Sequence, residues 1–185
     1  QQDAVGLVTF DTAIRRYIPP RSRTSHLRVL LEEMDGTRPG EETALAPIIH
    51  DIAERLHRRG LVIVISDLFD DPDRILNALH HFRYRKHEVI VFHVMAEEEL
   101  KFPFDRWSLF RDLEAADRKV QLDPRSIRAA YLDEVRRFVS ALESGCEPTW
   151  DGRIDALRSA THPLWRAWGV VSHLISVCNS KQWRE

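Results

Sequence analysis

Short apolar runs recur along the first half of the chain, and three of them are rich in β-branched residues. In each run the apolar side chains fall on both alternating faces, the pattern of strands buried on both sides of a parallel sheet. The three runs are Ala4–Phe10, Leu61–Ser66 and residues 88–94. They predict the inner strands of a sheet that is covered on both faces.

Between these runs, apolar residues repeat at helical spacing with charged residues opposite, which predicts amphipathic helices that pack on the sheet. The predicted helices span residues 25–34, 44–59 and 73–82. Strands that alternate with such helices predict a right-handed, doubly wound α/β fold.

The alternation changes in the second half of the chain. Residues 108–112 and Lys119–Leu122 predict a β-hairpin appended to the end of the sheet. A long amphipathic helix that starts at Asp123 or Ser126 follows, and Gly145 is a suitable stop for it.

Composition narrows the classes of function. A chain of 185 residues with 43% hydrophobic content fits a single domain. Its formal net charge of −2 and pI near 6.5 argue against a basic surface for nucleic acid or an anionic membrane. Its two cysteines, Cys146 and Cys178, are too few for a disulfide framework and indicate a reducing compartment, so we expect a cytoplasmic protein. No apolar run approaches the roughly 20 residues that span a bilayer.

Oxygen-bearing side chains cluster at the ends of two predicted strands, at the edge where a doubly wound fold places its binding loops. Asp11 and Thr12 follow the first run, and Ser66 and Asp67 end the second. Thr43 stands at the start of a helix between them. Carboxylate and hydroxyl oxygens are the ligands that a hard cation such as Mg²⁺ accepts.

Each of these residues also has an ordinary structural interpretation. Thr43 is equally a helix N-cap, and Asp67 can cap the turn after its strand. The acidic residues Asp70, Asp71 and Asp73 are most simply solvated charges at the start of a helix, and we do not expect them to bind metal.

Histidines are the other candidate ligands. His50 and His57 share one face of a predicted helix, and four more lie close together in the sequence, namely His80, His81, His87 and His93. A zinc hydrolase helix carries two histidines four residues apart with a companion glutamate, and none of these histidines has that pattern. We therefore expect them to be exposed or buried structural residues.

A series of segments resembles the family called "domain of unknown function 58". In order, they are QQDAVGLVTFD, PPR, GEETALAPIIHDIAERL, RRGLVIVISDLFDDP, HEVIVFHV, ELKFPFD, FRDLE, AAYLDEVRRF and GC. The resemblance covers residues 1–146. It implies a bacterial protein with a Rossmann-like, doubly wound, mostly parallel sheet of the von Willebrand factor A type. It also implies a partner, a MoxR-type AAA ATPase, beside which such proteins are typically encoded.

The family fold implies a metal-ion-dependent adhesion site, in which Thr43 and Asp67 match the second-loop threonine and third-loop aspartate. Its Asp-x-Ser-x-Ser loop, which follows the first strand, does not occur in this sequence. The chain also opens without an initiator methionine, so we expect its beginning to be missing. The first, central strand would then be absent, leaving a gap between Ala4–Phe10 and Leu61–Ser66. Mg²⁺ or Mn²⁺ would bind the intact domain but bind this chain weakly or not at all.

We expect two regions: residues 1–146 as the carboxy-terminal portion of the von Willebrand factor A-like domain, and 147–185 as a diverged or frameshifted tail. The tail holds four of the five tryptophans, and its apolar run at 165–177 supports a helix only weakly.

The leading functional hypothesis is a non-enzymatic protein-interaction module. One alternative is a hydrolase or phosphotransferase that uses Asp67 and the acidic loop after it, although no nucleophile elbow, phosphate-cradling glycine loop or histidine–carboxylate pair is visible. The other is an inactive structural remnant. A partner would contact either the carboxyl edge of the sheet or the hairpin, beside which lie Phe102, Phe104 and Trp107.

Overall fold

The computed structural model describes residues 3–37, 45–111 and 119–146, together with the backbone of two further strands at 154–158 and 173–179. This part of the chain forms eight strands and five helices. The strands are β1 (Ala4–Phe10), β2 (Ile14–Arg21), β3 (Leu61–Ser66), β4 (Glu88–His93), β5 (Ser108–Arg111), β6 (Lys119–Leu122), β7 (Ile154–Arg158) and β8 (His173–Asn179). The helices are α1 (Thr24–Gly36), α2 (Leu45–Arg55), α3 (Pro72–Tyr84), α4 (Glu97–Lys101) and α5 (Pro124–Gly145).

The main sheet has the order β2-β1-β8-β3-β4-β7. Only the pairs β3–β4 and β4–β7 are parallel, and the other three pairs are antiparallel. The α/β class is confirmed, but the expectation of a mostly parallel sheet was wrong. One reason is the short connection between β1 and β2, because a chain that reverses within three residues can only pair its strands antiparallel.

The expected gap in the middle of the sheet is filled. Strand β8 lies between β1 and β3, and its Ile175 pairs with Val8 on one side and Val64 on the other. Unpaired backbone groups inside a sheet are costly, and the β-branched sequence of β8 suits a strand. The weakly supported helix at residues 165–177 was therefore wrong from His173 onward.

One face of the sheet packs against α2, α3 and α5. Alternate residues of the two inner parallel strands point into this core and are at most 1% exposed, namely Val62, Val64, Val89 and Val91. On the opposite face, Leu7 and Ile18 pack against Leu30 of α1. Helices therefore cover both faces, as the alternation of strands and helices predicted.

The appended hairpin is a separate sheet of two antiparallel strands, β5 and β6. Phe102 lies beneath it, with its ring centroid 5.9 Å from that of Phe110 and 4.4 Å from that of Tyr131 on α5. Helix α5 begins after Asp123, whose carboxylate accepts a hydrogen bond from the Arg125 amide at 3.1 Å. Among the described helices, none combines the length and apolar character needed to cross a lipid bilayer.

Candidate functional site

The loop after β3 is tightly braced by its own side chains. The Ser66 hydroxyl accepts a hydrogen bond from the Leu68 amide at 3.0 Å, and the Asp67 carboxylate accepts one from the Phe69 amide at 3.2 Å. Leu68 has a φ of 54°, a left-handed conformation that costs a residue with a side chain about 1–2 kcal/mol. Burial of its side chain, which is 2% exposed, offsets that cost.

This backbone turn sends neighbouring side chains in opposite directions. Leu68 enters the core, whereas Phe69 is 82% exposed and projects from the carboxyl edge of the sheet. The loop therefore presents a large apolar ring on a backbone that its hydrogen bonds hold in place.

The acidic residues after Phe69 connect the loop to two helices. Asp71 is the N-cap of α3 and accepts a hydrogen bond from the Arg74 amide at 3.0 Å, with Pro72 beginning the helix. Asp70 accepts from the Ala46 amide in the first turn of α2 at 3.4 Å. The predicted helix-start role is confirmed for Asp71, and Asp70 places the start of α2 beside the loop that carries Asp67.

His93, at the end of β4, braces the loop from its other side. Its Nε2 lies 3.0 Å from the backbone carbonyl oxygen of Asp67. Burial lowers the pKa of His93, and this effect outweighs the opposing influence of the Asp67 carbonyl and of nearby carboxylates. A neutral imidazole at this position donates to a carbonyl and fixes the loop without adding charge.

Asp11, at the end of β1, closes its own turn. Its carboxylate accepts hydrogen bonds from the Ala13 amide at 3.2 Å and from the Arg15 guanidinium. Burial opposes ionisation, but the hydrogen bonds from Arg15 and Ala13 and the charge of Arg15 together lower the pKa of Asp11. Asp11 is therefore an ionised structural residue whose oxygens are occupied by neighbours.

The structure describes one of the two predicted metal ligands and not the other. Asp67 lies at the carboxyl end of β3, as expected, whereas Thr43 lies outside the described residues. A Mg²⁺ site needs several oxygen ligands, and Asp67 and Asp11 both use carboxylate oxygens to close their own turns. The described residues do not fit a closed magnesium site, and the pairing of Thr43 with Asp67 stays a prediction.

The loop after β3 lies in a part of the chain that matches a known protein family. A sequence model of the family described as protein of unknown function DUF58 matches residues 1–139, which is most of the chain. The chain belongs to that family. Both Asp67 and Phe69 of this DUF58 protein lie within the matched residues.

The end of the DUF58 chain is similar to a second family. A model described as Neurolysin/Thimet oligopeptidase, N-terminal domain, matches residues 128–185, which is less than a third of the sequence. No curated protein and no solved structure matches the chain.

The hairpin offers a second surface, but a smaller one than its aromatic sequence suggested. Phe102 is 5% exposed and Phe104 is half-buried, with its ring 5.3 Å from that of Phe110. Arg128 of α5 donates to the carbonyl oxygens of both Phe102 and Phe104 and fixes them in place. Of the three aromatic residues considered from the sequence, Trp107 is the one that is mostly exposed, at 71%.

Sequence reasoning missed Phe69. The segment Ser66-Asp67-Leu68-Phe69-Asp70 has two adjacent apolar residues inside an acidic turn, where a loop ordinarily carries polar residues. One apolar residue can anchor such a loop in the core, and the second then has to face solvent. That excess apolar residue was the signal in the sequence.

Proposed function

We propose that this DUF58 protein is a non-enzymatic interaction module that binds a partner protein through the loop after β3. The observation that supports this is the exposure of Phe69 on a braced loop. Aromatic side chains that enter a partner's pocket dominate the binding energy of many interfaces. A loop already held in one conformation loses little entropy on binding, which favours affinity.

The surroundings of Phe69 indicate the chemistry of the partner surface. Asp67, Asp70, Asp71 and Asp73 lie within four residues of it and give the loop a negative rim. The complementary surface is an apolar pocket bordered by lysine or arginine residues, since opposite charges at the rim speed association and favour the correct partner. In keeping with the family resemblance, we assign this surface to a MoxR-type AAA ATPase.

The proposal includes a Rossmann-like fold of the von Willebrand factor A type. In that arrangement Asp67 and Thr43 belong to a metal-ion-dependent adhesion site, whose Mg²⁺ or Mn²⁺ a partner's carboxylate completes. Residues 1–185 contain no Asp-x-Ser-x-Ser motif, so we expect these residues by themselves to bind Mg²⁺ with an affinity of about millimolar or weaker. Recognition by this chain then depends on Phe69 and its acidic rim.

Hydrolysis or phosphoryl transfer at Asp67 has less support. The Asp67 carboxylate accepts a hydrogen bond from the Phe69 amide, and His93 Nε2 lies 3.0 Å from the Asp67 carbonyl oxygen. A general base needs the reverse arrangement, with the imidazole or carboxylate directed at a substrate proton.

The test measures binding of the purified chain to a MoxR-type AAA ATPase from the same organism, with Phe69→Ala compared against Trp107→Ala. Both residues are large, aromatic and exposed, so the second variant is a matched control from the competing hairpin surface. We expect Phe69→Ala to weaken binding by about thirtyfold, the effect of a hot spot worth about 2 kcal/mol, and Trp107→Ala to leave it unchanged.

Both substitutions are at exposed positions, so the free energy of unfolding should stay within about 0.5 kcal/mol of the wild-type value. Loss of binding in Trp107→Ala with normal binding by Phe69→Ala would show that the hairpin is the contact surface. Normal binding by both variants, or no binding by the wild-type chain, would also refute the assignment to the β3 loop.

A further inference from the structure

Helices α2 and α3 pack side by side and bring two histidines and a glutamate together. His50 and Glu54 are four residues apart on α2 and therefore share one face of that helix. His81 faces them from α3, with its ring centroid 4.2 Å from that of His50 and its Nε2 2.8 Å from a carboxylate oxygen of Glu54. One nitrogen or oxygen from each of the three residues lies within 4.8 Å of the others.

We propose that His50, Glu54 and His81 bind Zn²⁺ or a similar divalent transition metal. Imidazole nitrogens and a carboxylate oxygen are the donor set of many zinc sites, whereas Mg²⁺ prefers oxygen ligands alone. Ligand bonds of about 2.0–2.2 Å in a tetrahedron place the ligand atoms about 3.3 Å apart. The His81 and Glu54 ligand atoms are 2.8 Å apart and all three ligand atoms lie within 4.8 Å of one another, so small side-chain rotations suffice.

Arg85 supports the glutamate from outside the cluster. Its guanidinium lies 2.9 Å from one carboxylate oxygen of Glu54, while the other oxygen faces His81. A carboxylate held in this way presents one defined oxygen to a metal, as the outer partners of metal ligands commonly do. The pairing also holds the arginine charge on the oxygen that faces away from the metal.

The site is accessible to a metal ion and to water. His50 and His81 line an open groove of about 860 Å³ between α2 and α3, which Arg74, Asn77 and Tyr84 also border. Three protein ligands leave a fourth position that water fills in zinc sites of this kind. This site uses different donors from the loop after β3, so it does not depend on the function proposed there.

The sequence showed only half of this arrangement. His50 and Glu54 have helical spacing, but a search for two histidines on one helix overlooks a second histidine that the neighbouring helix supplies. His81 comes 27 residues after Glu54, and only the packing of α3 against α2 brings the two together.

The test is isothermal titration of the full chain with Zn²⁺, in parallel with Glu54→Gln, His81→Ala and the control His57→Ala. His57 is an exposed histidine that follows α2 and stands outside the cluster, so its loss controls for casual binding by surface imidazoles. We expect one Zn²⁺ per chain at micromolar affinity, unaffected by millimolar Mg²⁺. Glu54→Gln and His81→Ala should each weaken it by at least about tenfold, and His57→Ala should not.

A second readout is the visible spectrum of the Co²⁺-loaded chain, which distinguishes a tetrahedral site from octahedral binding to a single histidine. Glu54→Gln preserves the size of the side chain, and circular dichroism of each variant checks that the helices are intact. The proposal is overturned if the wild-type chain shows no Zn²⁺ binding or if the cluster variants bind as tightly as it does. It is also overturned if His57→Ala loses as much affinity as they do.

Discussion

The two faces of the main sheet are covered very differently. On the face that α2, α3 and α5 cover, a large cluster includes side chains that are completely buried, among them Ile52, Leu79 and Phe82. On the face that α1 covers, the described part of the chain has only three buried residues in its cluster, namely Leu7, Ile18 and Leu30. Apolar residues on both sides of a strand thus do not guarantee that the two faces of the sheet are equally buried. Stability should therefore come mainly from the α2–α3–α5 face.

The largest expected effect comes from truncating the centre of the well-covered face. Phe82 of α3 is 0% exposed, and Phe82→Ala removes a ring from the core and leaves a cavity. We expect a loss of about 3–5 kcal/mol in the free energy of unfolding, measured by urea denaturation. Tyr84→Ala on the same helix is the control, because Tyr84 is 83% exposed and should contribute less than about 0.5 kcal/mol.

The same experiment on the thinner face should give a smaller loss. Leu30 of α1 is 4% exposed, but few buried residues surround it, so the site can collapse after truncation. We expect Leu30→Ala to lower the free energy of unfolding by about 2 kcal/mol, the lower end of the range for a buried leucine. The control is Leu31→Ala, which should change that free energy very little because Leu31 is half-exposed. Equal losses for Leu30→Ala and Phe82→Ala would contradict the comparison between the faces.

A third variant probes the backbone contact between β1 and β2. A methyl group on Gly6 would approach the Ile18 carbonyl oxygen to 2.7 Å and the Pro20 nitrogen to 2.9 Å. Because β2 is an edge strand that can shift, we expect Gly6→Ala to cost about 1–2 kcal/mol. Gly36→Ala is the matched control, since a methyl group there would contact nothing within 4 Å. Equal melting temperatures for Gly6→Ala and Gly36→Ala would refute the steric argument.

The smallest expected effect is the pH dependence of stability on the well-covered side. His87 precedes β4 and is 4% exposed, and burial lowers its pKa from the ordinary value of 6.5, against the opposing hydrogen bonds of Leu56 and Gly60. The unfolded chain therefore takes up a proton before the folded one does. Stability should be fully present above about pH 6.5 and fall as the pH drops towards the folded pKa.

Melting temperatures at pH 7.5 and pH 5.5 measure this effect, and His87→Gln should show a smaller decrease between them. His93 contributes in the same direction, because burial also lowers its pKa, so one substitution removes only part of the dependence. Asp11 does not contribute to this difference. Its pKa is lowered from the ordinary value of 3.8, so its carboxylate stays ionised at both pH values. An unchanged pH dependence in the variant would exclude His87 as a source.

Much of the fold could be predicted where local pattern and burial agree. The bounds of β1 and β3 match the apolar runs in the sequence, because both strands lie inside the sheet. Strand β2 could not be recognised, since Pro19 and Pro20 lie within it and Ile18 is its only buried residue. Proline is tolerated in an edge strand, where some amides need no partner. The position of β8 could not be inferred at all, because pairing between distant segments leaves no local pattern.

The candidate sites also differ in how much of each could be predicted from the sequence. Asp67 could be located because it directly follows a predicted strand. The exposure of Phe69 depends on Leu68 taking the place in the core, a choice that a sequence of two adjacent apolar residues leaves open. The partnership of His81 with Glu54 depends on how two helices pack, which hydrophobic periodicity does not specify.

The position of β8 has a consequence for how the chain reaches this structure. Val5 of β1 pairs with Cys178 of β8, and β8 also pairs with β3 on its other side. Contacts between residues so far apart close a very long loop, which slows folding. We expect the β1–β2 hairpin and the β3–β4 pair to form before the whole sheet, because each joins segments closer in sequence than those that β8 joins. They can join into one sheet only after β8 has been synthesised, because β8 is the strand that pairs with both β1 and β3.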